Sequence, residues 1–158
     1  MQRPPLQFVL DHNFPYQVVY GLDWPPYLRL TGLKDIAPQL VDEPDDWRIL
    51  LQLAARGDVD GYITNDAAML ELPEEMVALS RTMLTLVVTM GVGHNPVRAT
   101  GLLMTYLPEI AKRTLYRSPR RSTIYRLSAA QLGQFQLRPN QRLDKSLSQD
   151  WHEGCADC

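Results

Sequence analysis

The order of elements along the chain predicts an α/β protein: a three-layer α/β/α domain with a mostly parallel central sheet and a basic C-terminal extension. Three observations predict it. Short runs of strand-forming residues alternate with segments whose apolar residues recur at helical spacing, and each run ends on turn or cap residues. The 158 residues are one core's worth of chain, and 45% hydrophobic with 22% charged residues is an ordinary globular composition. Strand and helix in alternation pack best as parallel strands joined by right-handed crossovers, with helices on both faces.

The elements follow in order. Leu6 to Leu10 is a strand ending in Asp11 and the turn His12-Asn13-Phe14-Pro15. Pro15, Pro25 and Pro26 make the stretch to Thr31 a loop or short helix, with a second strand near Tyr27 to Leu30. Asp45 and Asp46 precede Trp47 to Arg56, a helix by its apolar spacing, stopped by Gly57. Tyr62 to Thr64 is a third strand closing on Asn65-Asp66. Helix is expected again over Glu74 to Thr82, strand over Leu84 to Thr89, helix over Val97 to Thr114 and strand over Ser122 to Leu127, with a polar, frayed end from Pro139. The α/β domain is therefore assigned to residues 1–114 and the basic extension to 115–158.

No stretch is long and apolar enough to span a bilayer, the amino terminus lacks a secretory pattern, and Cys155 and Cys158 sit at the very end of the chain. A cytoplasmic protein without a membrane partner is expected. The net charge of −2 hides two opposed halves: residues 1–110 hold 7 basic and 14 acidic groups, and residues 111–158 hold 9 and 4. Ala111 to Leu143 carries Lys112, Arg113, Arg117, Arg120, Arg121, Arg126, Arg138 and Arg142 without one acid, which suits a polyanion such as RNA. The bland reading is a solvated basic tail.

Three acids, Asp11, Asp46 and Asp66, fall at a strand end, a helix start and a strand end. In open parallel sheets ligands bind beyond the carboxyl ends of the strands, where these acids can converge. Clustered carboxylates repel unless a cation neutralises them, and an oxygen-only set suits Mg²⁺ or Mn²⁺. Such a site beside a phosphate-seeking surface points to phosphodiester hydrolysis. Taken singly, each Asp is more simply a turn or cap residue.

The pieces Phe8-Val-Leu-Asp-His-Asn-Phe-Pro15, Asp46-Trp-Arg-Ile-Leu-Leu-Gln-Leu-Ala and Gly61-Tyr-Ile-Thr-Asn-Asp66 resemble the PIN-like domains through about Arg113. The resemblance implies a metal-dependent endoribonuclease with Asp11, Asp46 and Asp66 as metal ligands and catalytic residues. In the helix the match is imperfect: Ile49 is in place, but Leu53 stands where a small residue is expected. Relatives carry a further acid on an early helix, for which Asp35 is the candidate here and Glu43 a weaker one. Asp45 could exchange roles with Asp46, Asn13 could hold a ligand or water, and Thr64 or Asn65 could orient Asp66 or contact phosphate. Many family members are toxins of toxin–antitoxin pairs, so a small antitoxin partner is implied, and small chains of the family often form homodimers.

Lys112, Arg113, Arg117, Arg120, Arg121 and Arg126, with Tyr106, Tyr116 and Tyr125 nearby, are the expected RNA path. His94 reads as an exposed loop histidine, and Gly91-x-Gly-x-x-Pro as a strand-to-helix turn. His152, Cys155 and Cys158 offer three zinc ligands where a closed site wants four, and read as tail. Trp24, Trp47 and Trp151 could stack on bases, although Trp47 has the spacing of a packed residue. Two other functions compete with the nuclease. One is a catalytically silent PIN-like module that binds RNA or protein. The other is a phosphatase with Asp11 as nucleophile, disfavoured because Asn13 stands where that chemistry wants a second acid.

Overall fold

A computed structural model describes residues 3–93, 95–117, 121–129 and 132–136. The chain runs β1 (Leu6–Leu10), α1 (Tyr16–Tyr20), β2 (Leu28–Gly32), α2 (Leu33–Ile36), α3 (Asp46–Arg56), β3 (Gly61–Thr64), α4 (Pro73–Ser80), β4 (Thr85–Thr89), α5 (Pro96–Tyr116), β5 (Thr123–Leu127) and β6 (Leu132–Gln136). Short 3₁₀ turns at Pro38–Leu40 and Ala67–Glu71 complete it. The strands form one sheet of order β2-β1-β3-β4-β5-β6. The first five are parallel, and β6 pairs antiparallel with β5.

Strict alternation of apolar side chains along the strands builds two cores, one on each face. Phe8, Leu10, Ile63, Val87 and Tyr125 face α5, which answers with Ala99, Leu103, Leu107, Ile110 and Ala111. Val9, Tyr62, Leu86, Val88 and Ile124 face the other way, onto Leu33 of α2, Ile49, Leu50 and Leu53 of α3 and Leu79 of α4. This is the three-layer α/β/α sandwich expected from the alternation of elements. The central strands β3 and β4 are buried on both faces, as parallel strands are when helices cover them.

One expected boundary holds and another does not. α3 stops at Gly57, whose φ of +76° is the left-handed conformation that ends helices and whose N–H donates to the carbonyl of Ala54. Thr114, where the sequence places the end of the α/β domain, lies inside α5, and β5 and β6 carry the sheet past it. The short helix α2 and strand β6 had no periodicity long enough to announce them. No helix among the described residues is long and apolar enough to cross a membrane. His94, Arg120, Arg138, Arg142, Trp151, His152, Cys155 and Cys158 lie outside the described residues.

At Gly61 the sheet permits no side chain: an added Cβ would overlap the Phe8 ring and lie 2.8 Å from the Thr85 carbonyl oxygen. Gly61→Ala is expected to cost about 1–3 kcal/mol, the usual cost of overpacking a tight core. Thermal unfolding should show a Tm lower by about 5 °C, and an unchanged Tm would contradict this packing.

Candidate active site at the carboxyl edge of the sheet

Parallel pairing decides what meets at the edge. β1 and β3 are neighbours with Leu10 opposite Ile63, and the Asp11 N–H donates to the Ile63 carbonyl at 2.8 Å. Side chains alternate, so Asp11 leaves β1 on the face of Val9, and Thr64 leaves β3 on the face of Tyr62. That is the face covered by α2, α3 and α4. The Thr64 hydroxyl, buried there, donates to Oδ2 of Asp11 at 3.0 Å and accepts from the Asp66 N–H at 3.0 Å. Thr64 thus ties the two strand-end acids together. One oxygen of Asp66 accepts from the Ala68 N–H at 3.0 Å, opening the next turn as a bland Asx residue would.

Asp46 joins them from α3. It is the first residue of the helix rather than its cap, and Asp45, the residue before, makes no capping hydrogen bond. Asp45 is instead drawn outward by Arg48, whose Nε lies 3.5 Å from its carboxylate. The neighbouring acids thus have different work, and Asp46 is the one turned to the site. Burial first, then the charges of Asp11 and Asp66, push its carboxyl up to about 6 from an ordinary 3.8, with His12 opposing. Asp11 is 6% exposed; its Oδ1 stands 2.9 Å from Nδ1 of His12, a half-exposed imidazole with no selecting signal in the sequence.

A second residue that sequence spacing does not reveal is Glu75, in the first turn of α4. It is 5% exposed, and its Oε2 has no hydrogen-bond partner. Burial, then the charges of Asp46 and Asp66, raise it to about 8. The hydroxyl of buried Tyr62 is raised as well, by burial and by Asp11 before Asp46 and Asp66, and makes no well-formed hydrogen bond. Asp11 and Asp66 therefore act on Asp46, and Asp46 and Asp66 act on Glu75, so like charge is shared among the four acids. Among the described residues, however, no three His, Cys, Asp or Glu side chains already meet at one point fit for a metal ion.

Other expected residues stand apart. Asp35 follows β2, and its carboxylate accepts from the Tyr20 hydroxyl at 3.3 Å; it is not among the groups that act most strongly on Asp46 or Glu75. Glu43 lies beside Arg48, 3.9 Å from its Nε. Asn13 and Asn65 line a recess of about 120 Å³ with Gly93 and Asn95, on the side of the acids toward α5. A separate, larger cavity of about 400 Å³ is lined by Arg98, Tyr106, Met90 and Ser128. Tyr125 is core, Tyr116 is fully outside, Trp24 is packed with its indole N–H on the Val19 carbonyl, and Trp47 packs beside Val77 and Ala78.

The basic segment requires a correction. α5 leaves the carboxyl end of β4 and returns to the amino end of β5, so its last turns reach the edge opposite the acids. Lys112, Arg113, Arg117 and Arg121 stand at that far edge, a helix length of about 30 Å away. Arg113 pairs there with Glu109 at 3.2 Å, and Arg117 bonds Thr123 at the start of β5. Of the six expected RNA contacts, Arg126 on β5 is the described one nearest the carboxyl edge.

Together the fold and site define an α/β protein with acids gathered at the carboxyl edge of a parallel sheet. In comparison with known proteins the chain matches no family model, no curated protein and no solved structure.

The raised acids make stability depend on pH. In the unfolded chain Asp46 and Glu75 titrate near 3.8 and 4.5, whereas in the fold they titrate near 6 and 8. Between those values the folded chain retains protons that the unfolded chain has released, so stability falls as pH rises and levels off above about 8. In EDTA the Tm of the parent is expected to fall by several degrees from pH 5 to 8, and Glu75→Gln should flatten the upper part of that slope. Equal slopes in the two proteins would contradict the burial of an ionisable Glu75.

Proposed function

We propose that this chain is a divalent-cation-dependent endoribonuclease, acting as the resemblance to PIN-like domains implies. The observation that carries the reading is the gathering of Asp11, Asp46 and Asp66, from three separate elements, on one face of one sheet edge. The donor set is all oxygen, and the burial and mutual repulsion of these acids favour a cation among them. Bound there, Mg²⁺ or Mn²⁺ would polarise a phosphate and activate water for its hydrolysis.

The chain's own residues supply the rest. Asp11, Asp46 and Asp66 are the ligands, and Thr64 holds the two strand-end acids in register. His12, beside Asp11 and open to solvent, is placed to accept or deliver a proton. The Asn13 and Asn65 amides line the recess along which a nucleic-acid strand would approach, and their N–H groups can donate to phosphate oxygens. Without the cation this edge repels a polyanion, so metal dependence follows from charge alone. A toxin's role, with a small antitoxin as partner, is the cellular use that the resemblance suggests for this activity.

The alternative, a module that binds RNA or protein without turnover, draws on the fact that no three described acids already converge. One experiment separates them. Labelled RNAs are incubated with parent, Asp11→Asn and Asp66→Asn in Mn²⁺ or EDTA. Cleavage by the parent in Mn²⁺ should fall by about 100-fold or more in either variant, since losing even a partner of a ligand costs about 10–100-fold. Equal cleavage by all three would refute the mechanism, and salt-sensitive binding without products would support the silent module.

The far-edge placement of the basic residues gives a second expectation. Lys112→Ala with Arg121→Ala should leave kcat within about twofold of the parent, because the substituted charges lie beyond the screening length of about 10 Å from the acids. A large fall in kcat would show that these side chains reach the reacting phosphate.

A further inference from the structure

Glu75 is difficult to explain as a structural residue. It occupies the third position of α4, whose other inward positions are Val77, Ala78 and Leu79, all buried. Its own side chain is 95% removed from solvent, yet Oε2 meets no donor. An acid buried without a partner costs more than a glutamine or methionine of similar size would. The groups that act on it most strongly are not basic residues of its own helix but Asp46 at the start of α3 and Asp66 at the end of β3. α3 and α4 pack on the same face of the sheet, and both begin at its carboxyl edge, so their first turns lie side by side. Partial positive charge at those two helix starts suits carboxylates there, but it does not supply the missing hydrogen bond.

We infer that Glu75 is a fourth carboxylate of the cation site, contributed by α4 and turned through its unpartnered Oε2 toward the cation held by Asp11, Asp46 and Asp66. The inference rests on the nuclease reading above and adds to it the acid that Asp35 does not supply. Asp35 is engaged by Tyr20 after strand β2, whereas Glu75 is buried, has an unpartnered Oε2 and feels the charges of Asp46 and Asp66. The cation would replace the missing donor at Oε2 and offset the repulsion from Asp46 and Asp66, which makes the buried position of the acid useful instead of costly.

The test uses the full chain and Mn²⁺ alone, with no RNA present. Metal-stripped parent, Glu75→Gln, Glu74→Gln and Asp66→Asn are titrated with Mn²⁺ by calorimetry, and free Mn²⁺ is followed by electron paramagnetic resonance. Glu75→Gln is expected to weaken Mn²⁺ binding at least tenfold, as Asp66→Asn does, while Glu74→Gln binds like the parent. Glu75→Gln keeps the side chain's shape and removes an ionisable group that must shed its proton as pH rises through about 8, so its Tm in EDTA above that pH should equal or exceed the parent's. Should Glu75→Gln fail to fold, Glu75→Asp retains the charge on a shorter arm and is likewise expected to bind Mn²⁺ more weakly. Parent-like affinity in the folded Glu75 variant, with loss in Asp66→Asn, would overturn the assignment of Glu75 and leave the nuclease reading standing. Failure of the parent to take up Mn²⁺ would overturn both.

Discussion

The parallel pairing of β1 with β3 is the constraint on which the site depends. Because the two strands run side by side in the same direction, their carboxyl ends coincide, and the Asp11 N–H continues the ladder onto Ile63. A shift of one residue in either strand would send Asp11 or Thr64 to the α5 face and break the hydroxyl link between the two acids. The register is fixed by the cores rather than by the acids. Phe8, Leu10 and Ile63 on one face and Val9 and Tyr62 on the other cannot exchange faces without exposing both layers. Gly61, with room for no side chain against Phe8, locks the same alignment at the amino end. Hydrophobic packing thus determines where the charged groups must stand.

Having been brought together, the carboxylates are held at a cost. The edge combines burial with like charge, and Asp46 and Glu75 respond by keeping their protons to higher pH. Two features of the fold lessen this strain. The first turns of α3 and α4 present the positive ends of their dipoles to Asp46 and Glu75. His12 offers a compensating charge to Asp11, and its charge also lowers Asp46. Neither feature neutralises four acids. The arrangement makes energetic sense if stability is traded locally for the capacity to take up positive charge, the usual pattern at sites that act chemically.

Much of this architecture was legible in the sequence because its strands and longer helices have clear period. Leu6–Leu10, Gly61–Thr64 and Thr85–Thr89 are short, strongly apolar runs, and Asp46–Arg56 has a sharp amphipathic stripe and a glycine stop. The positions of Asp11, Asp46 and Asp66 followed from those elements. Glu75 did not, for a physical reason: Pro73-Glu74-Glu75 looks like an ordinary acidic first turn, in which either Glu serves the helix dipole in solvent. What distinguishes Glu75 from Glu74 is the packing of α4 on α3, a tertiary fact with no local signature. His12 was hidden for a similar reason, since a histidine in a turn has no visible partner until Asp11 is oriented by Thr64. Asp35 was favoured by linear order along the chain, yet the segment after β2 carries it to Tyr20 instead.

The basic stretch illustrates the same difference between sequence and space more sharply. Read linearly, residues 112–126 follow the acids closely enough to seem part of one surface, but a crossover helix reverses direction. Since α5 carries the chain from the carboxyl edge back to the amino edge, each turn moves the arginines farther from the acids, and only β5 brings the chain back. A nucleic acid that used both regions would therefore have to run along the length of the sheet, over a span of about 30 Å. Nearer the acids, one recess is lined by Asn13 and Asn65, and a separate cavity is lined by Arg98 and Tyr106. If the chain binds a nucleic acid as proposed, the distant cations would contribute affinity that weakens with salt rather than contact near the acids.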